Sequence, residues 1–184
     1  MQRGQAERLM PLIGEVLAGA AAGWRDLSAI GVGTGPGNFT GLRIAVATAR
    51  GLALSLGIPA IGVSAFRALA HELPRPVLAG VGAPGGQVHV SLISEAGESA
   101  PALADPDAPP SPPAARHVLC VGHEAGRLAR ALAGQSTLPR HPLAAAVALI
   151  ASAGAAPGLP RPAPVYVRAA AAAPPADPPP KILA

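Results

Sequence analysis

Aromatic side chains are scarce in this chain, whose 184 residues include two Phe, one Trp and one Tyr. Half of the residues are nevertheless hydrophobic, so a core can form, but it has to be built from Ala, Val, Leu and Ile. The length predicts a single domain, or one domain with a small additional lobe.

Lysine and cysteine are also rare. The 14 basic residues are all arginine apart from Lys181, and the arginines are scattered rather than grouped, so the net charge of +4 forms no basic arm for nucleic acid. The single cysteine, Cys120, excludes an internal disulfide and fits a reducing compartment. Charged residues interrupt any N-terminal signal sequence, and the longest apolar run, residues 143–156, is too short to span a bilayer. We therefore predict a cytoplasmic protein without a membrane segment.

Strand and helix patterns alternate along most of the chain, which predicts an α/β protein. Helical spacing of apolar residues covers residues 6–20, 40–56, 65–73, the stretch after 123, and 142–154. Strands are predicted at 29–33 and 58–64, and a β-hairpin at 76–82 and 87–94 turns at Gly85-Gly86. Residues 101–115 hold six prolines and predict a loop, and the tail from Leu159 is predicted to be irregular apart from residues 164–168.

The stretch "GVGTGPGNFTGLRIAVATARG", residues 31–51, places a glycine-rich loop between a strand and a helix. Such a layout binds anions, because free N–H groups and the helix dipole point into the loop. However, Gly41 is followed by Leu42-Arg43 rather than by the Lys-Ser/Thr of a Walker loop, and the glycine spacing differs from that of a dinucleotide loop. The competing interpretation is structural: the glycines allow positive φ, Asn38 or Thr40 caps the helix, and Phe39 enters the core.

Other candidate sites carry weaker signals. His117, Cys120 and His123 share one segment, but residues 117 and 120 of a strand point to opposite faces, so no metal site is predicted there. His71 is interpreted as a helix-dipole partner, and His89 is expected to face solvent because it alternates with Val88 and Val90. The sequence contains no G-x-S-x-G nucleophile motif. We predict no catalytic residue and no metal ligand.

The segment "GTGPGNFTGLRIAVATARGLALSLGIPAIGVSAFRALA" closely resembles the bacterial TsaB (YeaZ) family of tRNA threonylcarbamoyladenosine biosynthesis. The hallmark of that family, G-x-G-P-G-S-F-T-G-L-R, is matched except for Asn38 in place of Ser. Residues 3–17 resemble the first helix of the family, with Gln5 where a His is usual, and residues 164–180 resemble its C-terminal end.

This resemblance implies an actin/Hsp70-like (ASKHA) fold and a non-catalytic subunit. Such a subunit pairs with a TsaD-type catalytic subunit, with a TsaE-type ATPase as third member. The complex transfers threonylcarbamoyl to N6 of adenosine 37 in tRNAs reading codons that begin with A, so contact with tRNA is expected to be indirect. No cofactor is expected; ATP or ADP at the partner interface and a homodimer are left open.

The resemblance also implies roles for two groups of residues. Pairing in the family uses the first two helices, which puts the partner interface at Leu9, Leu12, Ile13, Val16, Leu42 and Val46. A nucleotide cleft, if retained, would involve Gly33, Gly35, Pro36, Gly37, Asn38, Thr40, Gly41 and Arg43.

The family usually begins with three more strands, so we expect an N-terminally truncated chain. It divides into residues 1–74 as the remnant of the N-terminal actin-like lobe, 75–158 as a smaller α/β lobe with a Pro-rich insertion at 101–115, and a Pro-rich tail at 159–184. The hairpin turn also lacks the charges usual in the family, since residues 82–87 read Gly-Ala-Pro-Gly-Gly-Gln.

Two alternatives remain open at this point. One is an actin-like nucleotide-binding phosphotransferase or ATPase, which would need acidic residues for Mg²⁺; Asp26, Asp105 and Asp107 are the only aspartates before the tail, and none adjoins a glycine loop. The other is a truncated product that does not fold alone.

Overall fold

The computed structural model describes residues 5–110, 118–155 and 159–167. Helices and strands alternate over most of this range, which confirms the predicted α/β class. The helices are α1 Gln5–Gly19, α2 Phe39–Leu56, α3 Ala65–Leu69, α4 Ala125–Ala131 and α5 Leu143–Ala153. The strands are β1 Ile30–Gly35, β2 Ala60–Ser64, β3 Val77–Gly82, β4 Val88–Ser94, β5 Gly97–Glu98, β6 Ala102–Ala104, β7 Leu119–Gly122 and β8 Gln135–Thr137.

A two-stranded parallel sheet forms the first layer. β1 pairs with β2, Ile30 lying opposite Ala60, and α2 makes the crossover between them. Both α2 and α5 pack against β1. A Cβ added at Gly31 would lie 2.8 Å from the Cβ of Ala151, so α5 approaches β1 closely only because position 31 is glycine.

The second sheet has the strand order β5-β4-β3-β7-β8, and β6 also pairs with β4. β3 and β4 form the predicted antiparallel hairpin, with φ of +73° at Gly85 and +74° at Gly86 in the turn. β7 runs parallel to β3, and β8 runs parallel to β7. The prediction of a loop over residues 101–115 is wrong at Ala102–Ala104, because these residues pair with β4; residues 111–115 lie outside the described part.

His89 is buried, with 8% of its surface exposed, so the prediction that it faces solvent is wrong. Its strand, β4, is covered on both faces: Val88, His89, Val90 and Ser91 are all buried in succession. Alternation along a strand indicates the solvent face only where one face is open to water.

The short helix α3 joins the two sheets. Ser64 caps it as expected, its Oγ accepting a hydrogen bond from the Arg67 N–H at 3.0 Å. The helix ends at Leu69 rather than continuing to residue 73. Phe66 is fully buried and packs with residues of the second sheet, whereas Ala68 packs with residues of β2 and α5. One turn of helix therefore contributes to the cores on both sides.

Helix α2 is 18 residues long with a mean hydropathy of 1.2, which by length and composition is enough to cross a membrane. In this fold it packs against β1 and buries Val46, Ala49 and Ala53. Because core helices of soluble proteins meet the same criterion, one such helix is weak evidence for insertion into a bilayer.

Candidate functional site

The glycine-rich loop connects the end of β1 to the start of α2. Asn38 caps the helix, its Oδ1 accepting a hydrogen bond from the Gly41 N–H at 2.9 Å. Gly57 ends the helix in the left-handed conformation, with φ of +68°. Both ends of α2 thus have the caps that the sequence predicts, with Asn38 rather than Thr40 at the start.

Gly35 is needed for the shape of the loop. Its φ is +98°, a conformation that residues with a Cβ rarely adopt, and an added Cβ would lie 2.7 Å from Cδ1 of Leu42. Gly35 and Pro36 are buried, and the side chain of Leu42, in the first turn of α2, lies against Gly35. At Gly33, by contrast, φ is not positive and a Cβ would meet no atom within 4 Å. Backbone conformation and packing therefore explain Gly35 without a ligand, and they do not explain Gly33.

We expect Gly35→Ala to lower the free energy of unfolding by about 1–3 kcal/mol, because alanine would be held at an unfavourable φ. Gly33→Ala is the matched control and should change it by no more than about 0.5 kcal/mol. Urea unfolding followed by far-UV circular dichroism measures both. An equal decrease in the free energy of unfolding for the two variants would contradict the structural role given to Gly35.

Phe39 does not enter the core, contrary to the prediction. It is 38% exposed, and its ring lies 5.1 Å from the ring of Tyr166, centroid to centroid. The guanidinium carbon of Arg43 lies 3.8 Å from the Phe39 centroid, and Arg43 Nε donates a hydrogen bond to the Tyr166 hydroxyl at 3.0 Å. The tail reaches this position because the Val165 N–H donates to the Thr34 carbonyl at 2.8 Å. Arg43 is thereby held by two aromatic rings at the start of α2.

The predicted interface residues fall into three classes of exposure. On α1, Leu9 and Ile13 are half-buried, whereas Leu12 and Val16 are exposed, Val16 by 64%. α1 packs against α2. On α2, Leu42 is half-buried and Val46 is buried with Val32 of β1. The chain's own core therefore leaves two apolar residues of α1 uncovered that lie four positions apart on one face, Leu12 and Val16, which we call the α1 strip.

Of the cysteine and histidines considered for a metal in the sequence, Cys120 and His123 belong to no cluster of possible ligands among the described residues. Cys120 is fully buried, and burial raises the pKa of its thiol to about 11, so it stays a protonated, apolar group. The His123 side chain is 55% exposed. His117 lies outside the described residues.

A different histidine cluster is present that sequence spacing did not reveal. His71 and Glu72 follow α3, and His141 precedes α5; one ligand atom from each lies within 4.8 Å of the others. The Nε2 of His141 and the Oε2 of Glu72 are 2.8 Å apart. These residues are separated by 69 positions, so no local motif could have indicated them.

Solved structures of similar architecture define the class of protein. A Pseudomonas aeruginosa protein described as similar to peptidase YEAZ superimposes with a TM-score of 0.66 at 26% identity, covering 91% of this chain and 86% of that one. YeaZ from the same organism gives 0.67 at 25% identity, with 90% and 85% covered. The protein has the α/β, actin-like fold of YeaZ.

Sequence comparisons narrow the class to a family. The family described as "TsaD: tRNA N6-adenosine threonylcarbamoyltransferase" matches residues 1–100. Relatives named "tRNA threonylcarbamoyladenosine biosynthesis protein TsaB" are 36% identical over 92 residues in Escherichia coli and 39% identical over 70 residues in Haemophilus influenzae. The chain belongs to this family, in its TsaB (YeaZ) branch. The matched segments are 47% and 38% of this chain but only 40% and 30% of those relatives.

Proposed function

We propose that this protein is a non-catalytic subunit for threonylcarbamoylation of N6 of adenosine 37 in tRNA, and that it binds and supports a TsaD-type catalytic subunit. The observation that carries the proposal is the uncovered α1 strip in a member of the TsaB branch. The names of the relatives place those proteins in threonylcarbamoyladenosine biosynthesis, and the family description names the transferase itself.

The α1 strip suits a helix of a partner protein. Leu12 and Val16 are exposed by 37% and 64% and lie one turn apart on a helix that packs against α2. Exposed apolar residues grouped on one face are typical of protein interfaces. Arg8 and Glu15 form a two-pronged ion pair on the same helix, with both N–O distances 2.7 Å, and could form part of a polar rim. Val46 would act indirectly, by holding α2 against β1.

The loop residues favour a supporting role over catalysis. Residues 33–43 contain neither lysine nor an acidic residue, so the loop itself offers no ligand for Mg²⁺ and no Walker-type cation for a phosphate. Arg43, the one cation there, is held by Phe39 and Tyr166. The Cys120 thiol is buried and protonated. A phosphotransferase or ATPase using this loop would need these groups from elsewhere.

The remaining features of the proposal follow from the same role. The TsaE-type ATPase joins as third member, tRNA is contacted through the complex rather than by this chain alone, and the protein works in the cytoplasm.

We also propose the division into residues 1–74, 75–158 and 159–184. α5 lies within the second part but packs on β1 and β2 of the first, so these parts are in contact.

The test is reconstitution from purified proteins. We expect this chain to co-elute with a TsaD-type subunit in size-exclusion chromatography, and the pair with a TsaE-type ATPase to form threonylcarbamoyladenosine in tRNA. Omitting this chain should abolish the product, and the chain alone should hydrolyse no ATP. Light scattering of the chain alone reports whether it forms a homodimer.

Two results would contradict the proposal. One is full product formation without this chain. The other is ATP turnover by the chain alone that Arg43→Ala removes, which would favour the nucleotide-binding alternative. Gly33→Ala, near the end of β1, provides a second variant for that alternative, because an added methyl group there meets no protein atom within 4 Å and would occupy space available to a phosphate.

A further inference from the structure

Three metal-ligating side chains meet where the turn after α3 passes the segment before α5. The Nε2 of His141 is 2.8 Å from Oε2 of Glu72, and the Nε2 of His71 is 3.9 Å from Oε1 of the same carboxylate. The two imidazole rings are 5.6 Å apart between centroids and tilted by 43°. Glu72 thus lies between two histidines from separate segments of the chain.

These spacings are close to those of a zinc site. Zinc binds histidine nitrogen and carboxylate oxygen at about 2.0–2.2 Å in tetrahedral geometry, which puts neighbouring ligand atoms about 3.3–3.5 Å apart. The observed ligand atoms all lie within 4.8 Å of one another. The three side chains are 24%, 51% and 30% exposed, so none is fixed by complete burial and each has room to rotate toward a common centre.

The contact between Glu72 and His141 also suits a metal. Their Oε2 and Nε2 atoms are 2.8 Å apart, and because a carboxylate can only accept a hydrogen bond, Nε2 of His141 donates its proton to Glu72. A metal ion would take the place of that proton at Nε2, and the neutral ring would keep its proton on Nδ1.

We propose that His71, Glu72 and His141 form a binding site for Zn²⁺ that links the turn after α3 to the start of α5. Three protein ligands leave a fourth position for water or for a ligand from another molecule. The proposal is independent of the role in tRNA modification. Imidazole and carboxylate together also suit Co²⁺ and Ni²⁺, which makes these ions useful probes.

Isothermal titration of the untagged protein with ZnCl₂ tests the site. We expect one zinc ion per chain, and visible absorption typical of tetrahedral Co²⁺ when cobalt is used instead. His141→Ala and Glu72→Gln should each weaken binding by at least about 10-fold and remove the cobalt spectrum. The matched control is His123→Ala: that histidine also lies near a carboxylate, 3.9 Å from Glu124, but it does not belong to the three-residue cluster.

Several outcomes would overturn the proposal: no binding of zinc by the wild-type chain at millimolar concentration, unchanged affinity in Glu72→Gln, or an equal loss in His123→Ala. Thermal unfolding provides a second readout, since zinc should raise the melting temperature of the wild type and not of the two ligand variants. If His141→Ala fails to fold, Glu72→Gln decides the matter, because glutamine keeps the size of the side chain and an oxygen for the His141 N–H.

Discussion

Phe66→Ala is expected to lower the free energy of unfolding by about 3–5 kcal/mol, whereas Phe39→Ala should lower it by about 1 kcal/mol or less. Both residues stand near the start of a helix, and they are the only phenylalanines in the chain. Phe66 is fully buried, so its removal leaves a cavity. Phe39 is 38% exposed and would lose only its contacts with Arg43 and Tyr166.

The size of the Phe66 effect follows from its neighbours. The ring packs with buried residues of α3 and the turn after it, and of β3, β4 and β7: Leu69, Ala70, Leu73, Val77, Ala79, Ile93 and Val121. Phe66 is the largest of the fully buried side chains in the described part of the chain, so its removal leaves a correspondingly large cavity. Domains are typically stable by only about 5–15 kcal/mol, so the variant should unfold at much lower urea concentration.

Urea unfolding followed by far-UV circular dichroism measures both variants, with Phe39→Ala as the matched control. An equal decrease in the free energy of unfolding for Phe66→Ala and Phe39→Ala would contradict the burial assigned to the two rings. A larger cost for Phe39→Ala would support the original sequence prediction, in which Phe39 enters the core.

The two phenylalanines also show what sequence patterns can and cannot predict here. The loop, the Asn38 cap and the helix after it are local features, and their residues predict them correctly. The surroundings of Phe39 depend on Tyr166, more than 100 positions later. The segment 159–167 is joined to β1 by the hydrogen bond from the Val165 N–H to the Thr34 carbonyl. No local pattern of hydrophobic residues indicates that contact.

The burial of His89 and the contact of His141 with Glu72 could not be predicted from the sequence, and the reasons are related. The alternation around His89 predicts an exposed side chain, but helices cover both faces of β4: Val88 and Val90 pack with residues of α4, and Ile93 packs with Phe66 of α3. His141 reaches Glu72 because α5 packs back against the first sheet and α3. In both cases the deciding contacts are long-range, whereas the hairpin with Gly85-Gly86 depends on adjacent residues and was predicted correctly.

The double substitution Leu12→Asp with Val16→Asp is expected to weaken binding to a TsaD-type subunit by at least about 30-fold, equivalent to about 2 kcal/mol. Both side chains belong to the α1 strip and are exposed in the isolated chain. Carboxylates at these positions would have to be buried without a partner in the complex, which is costly. Because neither residue is part of the chain's own core, far-UV circular dichroism and the urea midpoint should stay close to those of the wild type.

The choice of residues separates docking from folding. Leu9 and Ile13 are half-buried on the same helix, so Leu9→Asp with Ile13→Asp should disturb the packing of α1 as well as any interface. Leu138→Asp is the matched control, because Leu138 is 83% exposed and lies after β8. Wild-type affinity in the Leu12/Val16 variant would exclude the α1 strip as the docking surface. An equal loss of affinity in Leu138→Asp would point to a nonspecific effect of charge. If the double variant is unstable, Val16→Asp alone, at the most exposed position of the strip, provides the test.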